Sequence, residues 1–194
     1  MGVSRQQAAE NRSAIVAAAE RLFRVRGVDA VGLTELMKEA GFTQGGFYNH
    51  FKSKDALVAA VMEKAMQDRA DSPSAGSPAK QAALYLSAAH RDNVEAGCAL
   101  SGFAGDAPRM SDAARACYAR GLAGYLERLE RMIATEGATA EQTRRDAIAM
   151  FSQMVGAVVL SRAIAGTDPA FADEILDAGR RSLVDAFDDP ATQA

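Results

Sequence analysis

The residues from Gly41 to Lys54, GFTQGGFYNHFKSK, concentrate hydrogen-bonding side chains in one short stretch. They supply amide, phenol, imidazole and ammonium groups, the types that meet base edges and phosphates in nucleic-acid complexes. Phe47 and Phe51 are four residues apart and would share the inner face of a short helix, so the polar side chains around them would face outward. The stretch therefore predicts a DNA-reading helix. Its outward polar positions are Gln44, Tyr48, Asn49, His50 and Lys54.

Helix boundaries crowd around this stretch. Gly41 is suited to the left-handed conformation that ends a helix, while Thr43 and Ser53 carry side-chain oxygens suited to capping the next two helices. Upstream, apolar residues recur at the spacing of one helical face. These are Leu33, Leu36, Met37 and Ala40. The succession of helix, tight turn and second helix predicts a helix-turn-helix unit.

Gly45 and Gly46 are unusual inside a helix, because each costs about 1 kcal/mol relative to alanine. The cost is explained if the backbone at the helix start approaches a DNA phosphate, where N–H groups and the helix dipole attract an anion. The alternative is a plain loop, with Phe47 and Tyr48 in an ordinary core.

Charge is distributed unevenly along the chain. Residues 1–55 carry eight basic and six acidic side chains, whereas the rest of the 194 residues carries fourteen and nineteen, for a net charge of −3. The net charge alone does not indicate a nucleic-acid-binding protein. Only the difference in charge between residues 1–55 and the rest of the chain favours a DNA-binding N-terminus. An apolar stripe predicts the helix that supplies the core of this small domain. The stripe is Ile15, Ala18, Ala19, Leu22 and Phe23.

Several segments together resemble the N-terminal domain of the TetR family of transcriptional repressors. They are Ala14 to Phe23 with Gly27, Leu36 to Gly41, and above all Gly46 to Lys54, GFYNHFKSK. The resemblance covers about the first 60 residues. It implies a three-helix DNA-binding domain joined to a larger helical domain that dimerises and binds a small-molecule inducer.

The resemblance also implies which residues contact operator DNA, with Tyr48 and Lys54 on phosphates. One position departs from the family pattern, since Gly32 stands at the start of the second helix where many members have threonine. Glycine is a weaker N-cap and offers no side chain for a phosphate contact. The predicted DNA-binding residues are Thr34, Thr43, Gln44, Gly45, Gly46, Tyr48, Asn49, His50 and Lys54.

Length and composition set further limits. A chain of 194 residues with 48% apolar content can build a sizeable core, and only five prolines favour helices. No stretch approaches eighteen uninterrupted apolar residues and the N-terminus lacks signal or transit character, so we expect a cytoplasmic protein without a membrane partner. Cys98 and Cys117 are expected to be reduced thiols.

Past residue 55, caps and breaks predict a succession of helices. A low-complexity octet, Asp71 to Pro78, interrupts the chain before further start signals. We expect an all-α fold of about nine helices, with a helix-turn-helix DNA-binding domain over residues 1–53 and a helical ligand-binding and dimerisation domain over residues 54–194. The start signals are Ser77 with Pro78, the capping-box pattern of Thr139 with Gln142, and Asp168 with Pro169.

The last two predicted helices carry apolar stripes with small residues that permit close approach. Two such helices would form half of a symmetric four-helix interface with a second subunit, which is also what the resemblance implies. Packing inside one chain is the alternative. The predicted interface residues are Phe151, Val155, Gly156, Val159, Ile175, Leu176 and Leu183.

The middle of the chain is expected to hold the ligand site, because methionine and tyrosine side chains suit an adaptable pocket. An ordinary core is the alternative. The candidates are Met62, Met66, Phe103, Met110, Tyr118, Tyr125, Met150 and Met154. Cys98, beside Gly97 at a predicted helix start, is a candidate redox or electrophile sensor, with a buried apolar role as the alternative.

Catalysis finds little support in the sequence. Cys98 with His90 and Asp106 with Arg109 lack a recognisable catalytic spacing, and neither histidine has metal-site spacing, so we expect no catalytic residue, metal or cofactor. An architectural DNA protein is disfavoured by the net negative charge. The sequence therefore predicts a homodimeric, sequence-specific regulator, a repressor released from a palindromic operator by a small-molecule inducer. A thiol sensor acting through Cys98 on the same scaffold is the alternative.

Overall fold

The computed structural model describes residues 4–70, 76–135 and 137–188. Within these residues the chain forms nine α-helices and two 3₁₀ helices and no strand, which confirms the all-α prediction. Most of the predicted octet, residues 71–75, lies outside the described residues. The α-helices are α1 (Arg5–Arg26), α2 (Leu33–Glu39), α3 (Lys54–Ala70), α4 (Pro78–Tyr85), α5 (Ala88–Asp92), α6 (Ala99–Gly102), α7 (Asp112–Ile133), α8 (Ala140–Ile164) and α9 (Pro169–Asp188); the 3₁₀ helices are Gln44–Asn49 and Ala107–Arg109.

Contacts divide the chain into two compact units. Unit 1 comprises Met1–Arg69 and Cys98–Gly121, and unit 2 comprises Ala70–Gly97 and Leu122–Ala194. α6 and the first part of α7 therefore belong with the N-terminal helices. The predicted division after residue 53 is a division by function and stays a prediction.

In unit 1, α1 begins and ends where its local sequence indicates. Ser4 Oγ accepts a hydrogen bond from Gln7 N at 3.1 Å, which caps the first turn. Gly27 adopts φ +81° and its N–H donates to Phe23 O at 2.8 Å, which ends the helix. Ile15 and Phe23 are fully buried, so the predicted apolar stripe is the buried face.

A charged side chain lies on the same buried face. Glu20 is only 8% exposed, and its carboxylate pairs with Arg24 one turn later and with Lys64 Nζ of α3 at 3.0 Å. The Arg24 guanidinium in turn lies 5.7 Å from the centre of the Phe103 ring, at the end of α6. A hydrogen bond to Asp68, and then the Glu20 carboxylate, raise the pKa of Lys64. Because a buried carboxylate is costly without cations around it, Glu20 depends on α3 for compensation.

Unit 2 is built on α4, α8 and α9, which pack against one another. α4 begins at the predicted Ser77 cap, whose Oγ accepts a backbone hydrogen bond at 3.2 Å. α8 begins with the predicted capping box of Thr139 and Gln142. α9 begins at Pro169, and the Asp168 side chain accepts a backbone hydrogen bond at 3.0 Å. All three predicted start signals are confirmed.

Polar side chains of α8 fix it to its neighbours inside unit 2. Ser161 is fully buried and its Oγ donates to the carbonyl of Ala172 at 2.8 Å, which joins α8 to α9. Arg162 donates from Nε to Arg91 O and from Nη2 to His90 O, both at 2.9 Å. These two bonds satisfy carbonyls in the last turn of α5 that have no partner within the helix.

By length and composition α8 would be able to cross a membrane, since its most apolar window has a mean hydropathy of 1.6. A helix in a protein core meets the same test. α8 packs against α4, α5 and α9 and buries Met150, Met154 and Val158 among others, while a third of the residues in its most apolar window are buried.

Candidate nucleic-acid interface

α2 and the turn after it position the polar stretch. Gly32 occupies the N-cap position of α2 in an extended conformation, and Leu36 and Met37 are fully buried beneath the helix. The chain then turns at Gly41, whose φ of +82° is the left-handed value predicted. Phe42 N donates to Met37 O at 2.8 Å and closes the turn. The predicted helix-turn-helix geometry is thus present.

The second helix of the motif is the 3₁₀ helix Gln44–Asn49, called the recognition segment below. Thr43 is its N-cap residue, but the predicted side-chain cap is wrong, because the hydroxyl makes no capping bond. The Thr43 carbonyl instead accepts from Gly46 N at 3.0 Å. The low helix propensity of Gly45 and Gly46 and the shortness of the segment favour the 3₁₀ form. The glycines thus lie in a helical turn and not in a plain loop.

Two phenylalanines anchor the recognition segment from below. Phe47 is fully buried, Phe51 is 3% exposed, and their rings stack with centroids 5.8 Å apart. Tyr48 meets the Phe47 ring edge-on at 5.3 Å while remaining 68% exposed. The Arg12 guanidinium lies 4.8 Å from the centre of the Phe51 ring, a contact that sequence reasoning missed because no local spacing relates the two residues. The outward face of the segment therefore lies over packed aromatic rings.

Most of the predicted DNA-binding residues are accessible to solvent. Thr34, Thr43, Gln44, Gly45, Tyr48 and Asn49 are exposed, whereas Gly46, His50 and Lys54 are half-buried. Thr34 Oγ1 donates to Gln44 Oε1 at 2.8 Å, which links α2 to the recognition segment. A β-carbon on Gly45 would meet no atom within 4 Å, so packing inside the chain does not require glycine there.

His50 and Lys54 lie where the segment passes into α3. The His50 ring is tilted against Phe42 at 6.4 Å, and Lys54 Nζ is 5.9 Å from the centre of the Phe23 ring. Ser53 Oγ accepts from Ala56 N at 3.1 Å, which confirms the predicted cap of α3. Lys54 therefore sits in the first turn of a long helix that begins at the motif.

The predicted ligand-pocket residues are almost all buried and divide between the two units. Met62, Met66, Phe103, Met110 and Tyr118 belong to unit 1, and Tyr125, Met150 and Met154 to unit 2. The cavity described in unit 2 has a volume of about 420 Å³ and uses none of them. Its lining includes Leu86, Asp173, Leu176, Asp177 and Arg180. The ligand site stays a prediction.

The predicted interface residues of α8 and α9 divide by exposure. Phe151, Leu176 and Leu183 are at most 5% exposed within the chain, and the Phe151 ring packs 4.5 Å from that of Tyr125. Val155, Gly156 and Ile175 are half-buried and Val159 is 42% exposed. Other large apolar side chains of these helices are also exposed, namely Ile148, Leu160 and Phe171. The apolar side chains of α8 and α9 that remain exposed therefore include Val159, Ile148, Leu160 and Phe171.

Cys98 is 2% exposed and precedes the four-residue helix α6, so a helix does start where predicted. Its carbonyl accepts from Ser101 Oγ at 3.0 Å. Tyr118 donates to Leu100 O at 2.7 Å, and burial, with a smaller contribution from Cys98, raises the pKa of this tyrosine. Among the described residues, no group of three or more histidine, cysteine, aspartate or glutamate side chains is arranged to hold a metal.

The N-terminal part of the chain, which holds the helix-turn-helix motif, is similar to known proteins. Residues 15–61 match the family model "Bacterial regulatory proteins, tetR family". The chain is 40% identical over 60 residues to the HTH-type transcriptional regulator TtgR of Pseudomonas putida, and 42% identical over 60 residues to AcrR of Shigella flexneri. Each match spans 31% of this chain and under a third of the relative's length, 29% and 28% respectively.

Solved structures of similar fold cover nearly the whole chain. The reduced form of E. coli NemR matches with a TM-score of 0.70 at 20% identity, covering 90% of this chain and 95% of NemR. A TetR transcriptional regulator from Chloroflexus aurantiacus matches with a TM-score of 0.74 at 18% identity, covering 95% and 97% of the two chains. The chain thus shares the all-α fold of these structures, with an N-terminal helix-turn-helix followed by further helices. The match to the tetR family model covers the part of the chain that holds the helix-turn-helix motif, residues 15–61.

Proposed function

We propose that this protein is a homodimeric repressor that binds a palindromic operator and leaves it when a small-molecule inducer binds. The observation that carries the proposal is the recognition segment, whose polar residues face outward over the buried rings of Phe47 and Phe51. Gly45 supports it as well, because no contact inside the chain calls for glycine at that position. A DNA phosphate that approaches the backbone N–H groups at this position would explain why the residue is glycine.

Dimerisation follows from the size of the recognition segment. Six residues make too few base contacts for specificity in a genome, so two copies must read two half-sites. The exposed apolar side chains of α8 and α9 supply the surface for pairing. Ile148 is 44% exposed, Leu160 60% and Phe171 51%, and covering these side chains with a second copy would remove apolar surface from water.

Release by an inducer requires that ligand binding change the distance between the two recognition segments. α3 begins at Lys54, directly after the motif, and is the element that an inducer would tilt. Affinity for the operator would then fall without competition for the DNA surface. By linkage, operator DNA would weaken inducer binding by the same factor. A protein of this kind acts in the cytoplasm.

Selection of binding sites from random DNA with the purified protein tests the class and the operator together. A repressor selects one palindrome and prefers it strongly over bulk DNA. An architectural protein would select no sequence, and an enzyme without a DNA role would retain no DNA. A single half-site bound as tightly as the palindrome would refute the dimeric mechanism. Candidate metabolites added to the complex then identify the inducer.

A thiol sensor is the second candidate, because the repressor NemR of E. coli is 38% identical over 55 residues and its solved structure is of a reduced form. The observation against it here is the 2% exposure of Cys98, which favours a packing role. An alkylating agent should release operator DNA from the wild type but not from Cys98→Ser if Cys98 is the sensor. We expect the two proteins to behave alike.

A further inference from the structure

We propose that Thr34 is a positioning residue that fixes the side-chain amide of Gln44 and so sets the base preference of the recognition segment. The inference rests on the proposed DNA-binding function. It assigns the two residues different tasks, since Gln44 reads a base while Thr34 acts through Gln44.

The geometry carries the proposal. Thr34 lies in the first turn of α2 and Gln44 is the first residue of the recognition segment, ten positions later. Thr34 Oγ1 donates to Gln44 Oε1 at 2.8 Å. Both side chains are exposed, so packing does not force them together. The bond therefore sets the orientation of one amide on the surface proposed to meet DNA.

A hydroxyl has a single hydrogen to donate. Because Thr34 gives that hydrogen to Gln44, it has none to give to a phosphate oxygen while the bond is in place. Phosphate oxygens accept hydrogen bonds and do not donate them, so Thr34 acts through Gln44 while this bond is in place. This indirect role replaces the direct DNA contact that the family resemblance implies for Thr34.

A glutamine amide presents an acceptor at one end and donors at the other, and a half-turn of the amide exchanges the two. In the structure Oε1 accepts from Thr34, so Nε2 is the end presented to a partner. A donor in the major groove selects acceptor edges such as guanine O6 and N7 or thymine O4. The Thr34 contact thus holds the Gln44 side chain in one position, and less rotamer freedom is lost on binding.

The test measures binding of the selected operator, each of its single-base variants and bulk DNA, at several salt concentrations. Thr34→Val keeps the branched shape and removes the hydroxyl. It should reduce the preference at one base pair by about 5-fold or more, out of the roughly 5- to 150-fold that a good side-chain contact provides. Gln44→Ala should lose preference at the same base pair, and the double variant should lose no more than Gln44→Ala alone. Thr34→Ser, which keeps the hydroxyl, should retain the preference.

Salt dependence separates this role from a backbone contact. Affinity of Thr34→Val for bulk DNA and its salt slope should equal those of the wild type. An equal loss of affinity for all sequences would instead show that Thr34 donates to a phosphate, and a changed preference at a different base pair would show that it reads a base itself. Either result overturns the proposal. Wild-type protein without any sequence preference would refute the proposed function as well, and thermal unfolding confirms that each variant is folded.

Discussion

Gly121 on α7 packs directly against Met66 on α3. A β-carbon on Gly121 would lie 3.0 Å from Met66 Cβ and 2.5 Å from Met66 Cγ, and closer still to the sulfur. Real β-carbons are not found so close to other heavy atoms, and Met66 is itself only 8% exposed. A side chain at this position would therefore force Met66 to shift. The cause is the approach of the two helices and not backbone conformation, since the φ of Gly121 is not positive.

Replacing Gly121 with alanine should lower the free energy of unfolding by about 1–3 kcal/mol, because the added methyl group overpacks the contact with Met66. The matched control is Gly124→Ala on the same helix, where a β-carbon would meet no atom within 4 Å. That variant should gain up to about 1 kcal/mol from helix propensity. Urea unfolding of the two variants measures the difference. Equal stabilities would show that Met66 moves aside without cost.

Tyr118 should make stability depend on pH in the alkaline range. Burial raises its pKa in the folded protein above the unfolded value of about 10. The neutral hydroxyl therefore contributes stability that is fully present below about pH 10 and is lost as pH rises through the folded-state pKa. Tyr118→Phe removes the hydrogen bond to Leu100, which costs about 0.5–1.5 kcal/mol at neutral pH. Urea unfolding from pH 7 to 11 should show this difference shrink above pH 10. If the difference in stability between the wild type and Tyr118→Phe stayed constant to pH 11, the raised pKa of Tyr118 would be contradicted.

Lys54 and Gln44 should affect DNA binding in different ways. Lys54→Ala should weaken binding to every sequence and reduce the salt slope by about one, because a phosphate contact is lost. Gln44→Ala should relax preference at one base pair at a cost of roughly 1–3 kcal/mol. Lys80→Ala, an exposed change on α4, is the control and should alter neither quantity. Fluorescence titrations at several salt concentrations measure the affinity for each DNA sequence and the salt slope. If both site variants bound DNA as the wild type does, the recognition segment would not be part of the DNA interface.

Gly156 tests the proposed pairing through α8. A β-carbon at Gly156 would meet no atom within 4 Å in the single chain, and thermal unfolding checks that Gly156→Leu is folded. If a second copy packs there, the larger side chain overpacks the contact and weakens dimerisation and operator binding together. Gly124→Leu, which also has open space around it, is the control. Sedimentation equilibrium measures assembly. Should Gly156→Leu remain dimeric with unchanged DNA binding, the pairing surface must lie elsewhere.

Local signals in the sequence were sufficient to place most helix boundaries. Ser53 and Ser77 cap helices through contacts three residues away, and Thr139 does so within its capping box. Gly41 takes its left-handed conformation because no β-carbon opposes it. Each of these features is decided within four residues, which is the range over which a sequence pattern is legible.

Features that depend on distant residues were not predictable. Nothing in the spacing of Glu20 and Lys64, 44 positions apart, indicates that they form an ion pair. The apolar stripes of α8 and α9 were recognisable, but whether Phe151 or Val159 is covered by its own chain depends on the packing of several helices. The 3₁₀ form of the recognition segment was missed because a short run with two glycines has no clear period.

The ion pairs of Glu20 with Arg24 and Lys64 limit where this chain can be joined to another protein in a hybrid. A hybrid joined after residue 53 would carry Glu20 and Arg24 but leave behind Lys64, which neutralises the carboxylate, and Phe103, which the guanidinium overlies. The transplanted residues 1–53 would then hold the buried Glu20 carboxylate without one of its two cations. Removing one partner of a buried ion pair lowers the free energy of unfolding by several kcal/mol in proteins. A hybrid that also carries α3 keeps Glu20, Arg24 and Lys64 together, so we expect it to be more stable than one joined after residue 53.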